Sequence, residues 1–301
     1  MTIILKGAPV ANQVKEELTA KISTYIKQGI QPKVAILRVG DKPEDKAYET
    51  RVVKNCEKIG MAIERVTVDH NIIMSEFVDK IDTLNKNPGI HGILIFSPLP
   101  SHLDAEIVSK TISPQKDIDC MSPENCEKIF KGTTTGLSPC TPLAVLAVLK
   151  HYDYDINGLN VVIVNRSMVL GKPLSMMLLA HNATVTLCHS KTKDLASLTR
   201  RADVVVTGVG RPKYFGRDYF TRKSFIIDVG INYAGDQMCG DVDYEAVAGH
   251  CAAITPVPGG IGIVTSMMLL KNVIQALEIQ QTHLYQKYEE VSHGKKAIIS
   301  C

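Results

Sequence analysis

The chain has 301 residues, 45% of them apolar, and a formal net charge of +3, which fits two domains or one large one with ample core. Lys and Arg are scattered rather than clustered, so neither nucleic acid nor a membrane surface is indicated as a partner. The apolar runs are strand-length, no bilayer-spanning segment is expected, and the apolar run in MTIILKGAPVANQVKEEL is too short for a signal peptide.

Val10–Tyr25 reads as an amphipathic helix and Lys33–Val39 as a strand. A charged turn over 40–46 leads into a helix over Ala47–Gly60, ended by its glycine. Ile63–Val68 reads as a strand, Met74–Asn85 as a helix, and Gly92–Phe96 as a buried strand running into the rigid turn Ser97-Pro-Leu-Pro100. Lys116–Asp119 is a polar turn, and Ser122–Ser138 is expected to pack irregularly at a cleft edge. Thr141-Pro142 fits N-cap and N1 of a helix through His151, and the domain switch is placed here.

The stretch 158–192 organises the second half of the chain. Val161–Val164 is an unbroken β-branched run, the mark of a strand covered on both faces. Asn165–Pro173 is a turn, Leu174–Ala180 a helix and Ala183–Leu187 the next strand, so the segment is a βαβ unit. Its turn is expected to offer backbone N–H groups at a helix N-terminus, where phosphate binds well. The spacing is not G-x-G-x-x-G, because Asn165 holds the first position and Gly171 comes six residues later. Nucleotide binding and a plain α/β core unit both stay open on spacing alone.

Strands over Ala202–Thr207, Phe225–Val229 and Ala252–Thr255 lead into Gly208–Gly210, Gly230–Asn232 and Pro256–Gly262. In a doubly wound sheet such ends line the ligand crevice, and their glycines either let a ligand approach backbone or simply make tight turns. Met267–Gln280 reads as a long helix able to cross back to the first domain, and 281–301 as a polar, partly mobile segment with little pattern. The fold class is therefore α/β in two lobes, the second Rossmann-like, with a C-terminal helix returning to the first. The eight cysteines show no C-x-x-C spacing, which favours reduced thiols in a cytoplasmic protein and no metal site; Cys140 and Cys188 lie beside candidate site residues.

Nine motifs in order carry a resemblance: Tyr48 with Gly60, Pro98-Leu-Pro100, Lys116-Asp-Ile-Asp119, Pro139-Cys-Thr-Pro142, Asn165-Arg-Ser167 with Gly171-x-Pro173, Asn182–Thr186 with Cys188-His-Ser190, Asp228–Asn232, Gly240–Asp243 and Thr255–Gly262. The chain resembles the methylenetetrahydrofolate dehydrogenase/methenyltetrahydrofolate cyclohydrolase family from Lys6-Gly7 to about Leu277. The resemblance implies a folate-binding catalytic domain over 1–140, completed by the helix at 267–301, and an NAD(P)-binding domain over 141–266. It also implies a cleft between the lobes, a one-carbon tetrahydrofolate derivative as substrate, NADP or else NAD as cofactor, and usually a homodimer. By position, Tyr48 stacks on the folate and Asp119 hydrogen-bonds its pterin. Val52, Ile95, Phe96, Ser97 and Pro258, Gly259, Gly260, Ile261 and Gly262 border the substrate. Thr141, Asn165, Arg166, Ser167, Ser190, Gly210 and Ile231 hold the dinucleotide, and Arg166 with Ser190 favours a 2′-phosphate and hence NADP.

The chain departs from the family pattern where protons are handled. The pattern Y-x-x-x-K ends here in Val52, and the glutamine two residues before P-L-P is Phe96. On a helix, Arg51 shares the face of Tyr48 while Lys54 points away; a guanidinium makes a poor base, and Asp45 is expected to pair with Arg51. Asn165 replaces a glycine, in a turn where Asn tolerates positive φ, and Ile263 replaces a proline. Hydride loss from the one-carbon bridge needs positioning and little proton transfer, whereas opening the methenyl bridge needs water attack and a proton shuttle. The expectation is a dehydrogenase with little or no cyclohydrolase activity. The alternatives are a bifunctional enzyme using Arg51, Asp45 or an ordered water, and a non-catalytic folate- or nucleotide-binding relative.

Overall fold

The computed structural model describes residues 2–133 and 135–298, with side chains through Thr282. The chain runs Ile3–Ile4 (β1), Gly7–Lys27 (α1), Lys33–Val39 (β2), Pro43–Ile59 (α2), Ala62–Val68 (β3), Met74–Lys86 (α3), Gly92–Ile95 (β4), Ala105–Thr111 (α4) and Pro123–Phe130 (α5). It continues Cys140–His151 (α6), Asn160–Val164 (β5), Gly171–Ala180 (α7), Thr184–Cys188 (β6), Leu195–Arg201 (α8), Val204–Thr207 (β7) and Phe225–Asp228 (β8). A hairpin of Asn232–Ala234 (β9) and Gln237–Cys239 (β10) precedes Tyr244–Val247 (α9), Ala253–Ile254 (β11) and Ile261–Ile298 (α10).

Two compact units result. One takes the chain up to Glu17 and Cys126–Leu269, and the other takes Leu18–Asn125 and Leu270 onward. This differs from a division at 140: the N-terminal residues and α5 belong with the Rossmann-like unit. The reason is non-local, because β1 pairs in parallel with β11 through Ile3↔Ala253 and Ile4↔Ile254. A two-residue strand carries no periodicity, so only its partner reveals it.

The first unit is built on a parallel sheet in the order β1-β11-β8-β7-β5-β6. Val161–Val164, Val204–Val206, Ile226 and Ile227 are all buried. That explains the unbroken apolar strands, since helices cover both faces of a parallel sheet. Strand order reverses between β5 and β7, which makes their carboxyl ends the topological switch point of a doubly wound sheet. In the second unit β3-β2-β4 form a parallel sheet, on which α3 packs Phe77, Ile81 and Leu84.

Several local expectations are corrected. α2 begins at Pro43, with Glu44 and Asp45 in its first turn, rather than at Ala47; proline at the start and acidic residues near the positive end are helix-start signals. Its end is as expected, with Gly60 left-handed at φ 77. The 122–138 stretch is not wholly irregular, since it contains α5. α6 starts at Cys140 after Pro139 with no side-chain cap, so Thr141 lies inside the helix instead of capping it. α10 continues through Ile298 where a patternless segment is expected, and residues 299–301 lie outside the described residues.

The expectation of only strand-length apolar runs is also corrected. Ile261–Thr282 is long and apolar enough to cross a membrane by length and composition, but most of it is buried within the protein. Val264, Met267–Leu270, Val273, Ile274, Ala276 and Leu277 are core residues. Its apolarity is thus accounted for by packing.

Candidate functional site

Because the six strands are parallel, their carboxyl ends share one edge, and the expected cofactor residues other than Thr141 follow those ends. Val164 of β5 faces Cys188 of β6 in register. Arg166 and Ser190, each two residues farther on, therefore leave neighbouring strand ends, and both are exposed. Gly210 follows β7 and is exposed in a left-handed conformation at φ 68; Ile231 follows β8 and is 58% exposed. Thr141 lies half-buried in the first turn of α6. Pro258, Gly259, Gly260, Ile261 and Gly262 form the turn after β11 and the start of α10, with Ile263 exposed beside them.

The start of α7 does not offer its N–H groups as expected. The Asn165 side-chain oxygen accepts from Ser167 N at 2.7 Å, Ser167 Oγ at 2.8 Å and Gly171 N at 3.0 Å. Ser167 Oγ in turn accepts from Leu170 N at 3.2 Å. Lys172 N donates to Ser167 O at 3.1 Å and Leu174 N to Leu170 O at 2.9 Å, while Pro173 has no N–H. The Asn165 amide also donates to Gly208 O, joining the two strand ends of the switch point. Asn165 is not among the residues with positive φ, so its place here rests on side-chain bonding rather than on tolerance of a left-handed backbone. Gly171 is required because a Cβ there would collide with the carbonyl of Asn165.

Two buried carboxylates complete this edge. Asp228 accepts from Thr207 Oγ1 at 3.1 Å, Gly230 N at 2.9 Å, Asp241 N at 3.2 Å and Val242 N at 2.8 Å. Asp241 accepts from Val209 N, from Arg211 N at 2.9 Å and from Asn232 Nδ2 at 2.9 Å. A Cβ on Gly230 would strike the Asp241 carboxylate, and one on Gly240 that of Asp228. These glycines serve close packing against the carboxylates, a role that for Gly230 is neither ligand approach nor a simple tight turn. Burial pushes Asp228 up to about 6, helped by the Asp241 charge and opposed by the backbone N–H donors.

In the other unit, Tyr48 and Val52 sit on α2. The Tyr48 ring lies 5.3 Å from that of Phe96 at 47°, and the Arg51 guanidinium lies over it at 5.8 Å. Val52 and Phe96 are 2% and 7% exposed, so both hydrocarbon side chains are packed. Ile95 is buried, while Ser97 and Asp119 are exposed. The expected Asp45–Arg51 pair is absent among the described residues. Arg51 turns to the Tyr48 ring, and the strong ion pair of α2 comes from Glu49, with Arg38 of β2 at 2.7 Å. Arg38 also bonds Gly40 O, Asp41 at 3.0 Å and Thr67 at 3.1 Å.

The polar turn at 116–119 divides by role. Lys116 Nζ donates to the carbonyls of Leu84 at 3.2 Å, Asn85 at 2.7 Å and Asn87 at 2.7 Å, closing the C-terminus of α3. Burial draws it down to about 8, the range of a catalytic base, yet its three bonds make it a structural group. Asp117 is fully buried and accepts from Met121 N, Ser122 N and Asn125 Nδ2. Cys140 and Cys188 are buried, and burial pushes the Cys188 thiol up, away from the reactive thiolate. No disulfide joins the described cysteines.

Comparison with known proteins decides the family. The profile of the tetrahydrofolate dehydrogenase/cyclohydrolase catalytic domain matches residues 5–119, and that of the NAD(P)-binding domain matches 139–281. The chain belongs to the tetrahydrofolate dehydrogenase/cyclohydrolase family. It is 48% identical over 281 residues to bifunctional protein FolD 1 of Desulfitobacterium hafniense, covering 93% of this chain and 100% of that one. It is 49% identical over 279 residues to bifunctional protein FolD of Clostridium botulinum, covering 92% and 99%. The crystal structure of the bifunctional FolD enzyme from Campylobacter jejuni superposes with a TM-score of 0.91 at 36% identity, over 93% of this chain and 100% of that one. The Trypanosoma brucei FolD complexed with NADP and an inhibitor gives 0.88 at 29% identity, over 93% and 98%. The family member is thus a folate enzyme of dehydrogenase/cyclohydrolase type with an NAD(P)-binding domain.

Proposed function

We propose that this family member is a 5,10-methylenetetrahydrofolate dehydrogenase that passes hydride to NADP, with NAD the alternative, and hydrolyses the methenyl product weakly or not at all. The observation that carries the reading is the environment of Tyr48: Val52 and Phe96 are buried hydrocarbon where the family resemblance leads one to expect an ammonium and an amide. When bound, the nicotinamide supplies the hydride acceptor. The chain's task in that half-reaction is to hold the one-carbon bridge, since the positive charge left behind is shared by two folate nitrogens. Tyr48 as the stacking surface and Asp119 as the pterin partner meet that need, and both are present.

Hydrolysis asks more. Water must lose a proton while a ring nitrogen gains one, and a positioned acid or base contributes about 10²–10⁴-fold to such steps. Near Tyr48 the remaining charged groups are ill suited: a guanidinium such as that of Arg51 makes a poor general base, and Glu49 is held by Arg38. The buried Lys116 is tied to three carbonyls. Arg166 and Ser190 on adjacent strand ends support NADP, as a guanidinium and a hydroxyl suit a 2′-phosphate.

The rival reading is full bifunctionality through Arg51, Asp45 or an ordered water, and the bifunctional names of the relatives favour it. An absorbance assay that follows reduced nicotinamide and methenyltetrahydrofolate separately distinguishes them. Reduction of NADP with methenyl decay at the spontaneous rate supports the proposal, and enzyme-dependent decay overturns it. A homodimer in the cytoplasm completes the proposal, with light scattering as the test of the first part.

A further inference from the structure

The half of α2 that carries Tyr48 is not fastened by hydrocarbon. The buried residues of this helix are Glu49, Val52, Cys56 and Ile59, so apolar packing begins only after Tyr48. Ahead of it, Pro43, Glu44, Lys46 and Ala47 are exposed, and Lys42 at the N-cap makes no side-chain cap bond. The first buried residue along the helix is a carboxylate. Glu49 accepts from Arg38 Nε at 2.7 Å, and the same guanidinium bonds Gly40 O and Asp41 in the loop before α2 and Thr67 on β3. One side chain therefore holds the loop entering α2, the helix itself and a neighbouring strand.

The surface that the Tyr48 ring meets is set from the same place. Phe96 N donates to Leu37 O at 3.1 Å, so the ring 5.3 Å from that of Tyr48 is tied to the residue before Arg38. Adjacent residues of β2 thus fix both rings. A buried ion pair adds little stability over hydrocarbon of similar volume. Its hydrogen bonds are directional, however, and a guanidinium fork with several acceptors favours one placement of the helix. We propose that Arg38 and Glu49 are positioning residues for the folate, acting through Tyr48 by setting where its ring meets the substrate. The proposal rests on the reading of Tyr48 as the stacking surface. Both side chains are buried, so their effect passes through α2.

Steady-state reduction of NADP by methylenetetrahydrofolate tests this, with KM measured for both substrates and urea unfolding alongside. Arg38→Met combined with Glu49→Leu keeps the site packed. It is expected to raise the folate KM about tenfold and to leave the NADP KM within about twofold. Glu49→Gln keeps the shape and one acceptor oxygen, and is expected to raise the folate KM about threefold; it carries the test if the double variant does not fold. Combination with Tyr48→Ala separates positioning from architecture. With the ring gone the pair has nothing to place, so its replacement should move the folate KM no further. A pair that only supports the fold would lower the urea midpoint and leave the folate KM alone, or would add its full effect on top of Tyr48→Ala. Either result overturns the proposal. A folate KM unmoved by Tyr48→Ala itself overturns instead the reading of Tyr48 beneath it.

Discussion

The strand ends of the six-stranded sheet and the α2 face around Tyr48 use polarity in opposite ways. Along the sheet edge, Asn165, Asp228 and Asp241 are polar groups whose bonds run back into the fold. Around Tyr48, two positions that the family resemblance marks as polar are packed hydrocarbon. The first region shows that a site rich in polar side chains can be busy with architecture. The second pairs an aromatic ring with packed hydrocarbon, and it is on the absence of a polar group at these two positions that the proposed loss of hydrolysis rests.

Restoring the missing groups would break this contrast most forcefully. The double substitution Val52→Lys, Phe96→Gln is expected to raise methenyltetrahydrofolate hydrolysis by about 10²–10⁴-fold, with the hydride-transfer rate changed far less. Stopped-flow absorbance of methenyl decay measures it. Hydrolysis already fast in the unaltered chain, and indifferent to the substitution, would remove the contrast altogether.

How far these regions are legible in the sequence depends on the range of the interactions. The β-branched run of β5 and the apolar strands β2, β4 and β7 are local signals, and the structure places strands there. α4 and α8 escape a reading by apolar pattern because they are seven residues each, although Asp104 and Asp194 cap them with side-chain bonds. β1 and the Arg38–Glu49 pair are visible only through partners distant in sequence. The turn at Asn165 misleads for a different reason. Spacing marks where N–H groups converge, but only the side-chain geometry tells what they converge on.

A second test removes architecture from the α2 region. Arg38→Met leaves the buried Glu49 carboxylate with only the exposed Arg65, 4.0 Å away, and is expected to cost about 3 kcal/mol, while a matched Arg38→Met, Glu49→Leu pair recovers most of it. Urea unfolding measures both. A recovery confined to stability, with Tyr48-dependent folate affinity still impaired, would show that the pair also sets the position of α2.

The sheet edge can be tested by pH. Asp228 has a folded value of about 6, above the usual unfolded value of about 3.9, so the folded state binds more protons between them. Its contribution is fully present below about pH 4 and is lost as pH rises through about 6, an effect of about 2–3 kcal/mol. Comparison with Asp228→Asn isolates it: the unaltered chain should lose stability relative to the variant across that window. An opposite slope would mean that the four hydrogen-bond donors outweigh burial.

Lys116 gives the smallest and most discriminating effect, since its titration falls in the range of a catalytic base although its bonds are all to backbone carbonyls. Its folded value of about 8 lies below the unfolded value of about 10.4. Protonation is thus disfavoured in the folded chain, and the cost is present below about pH 8 and relieved as pH rises toward 10. Lys116→Met keeps the aliphatic stem and abandons the carbonyls of Leu84, Asn85 and Asn87. The net loss should be about 1 kcal/mol, because relief of a buried charge offsets much of the lost bonding. If Lys116 only closes α3, the variant shifts the urea midpoint and leaves methenyl hydrolysis at the spontaneous rate in both proteins. A hydrolysis rate in the unaltered chain that follows a group titrating near pH 8 and vanishes in Lys116→Met would instead assign it the proton transfer that Val52 and Phe96 cannot perform.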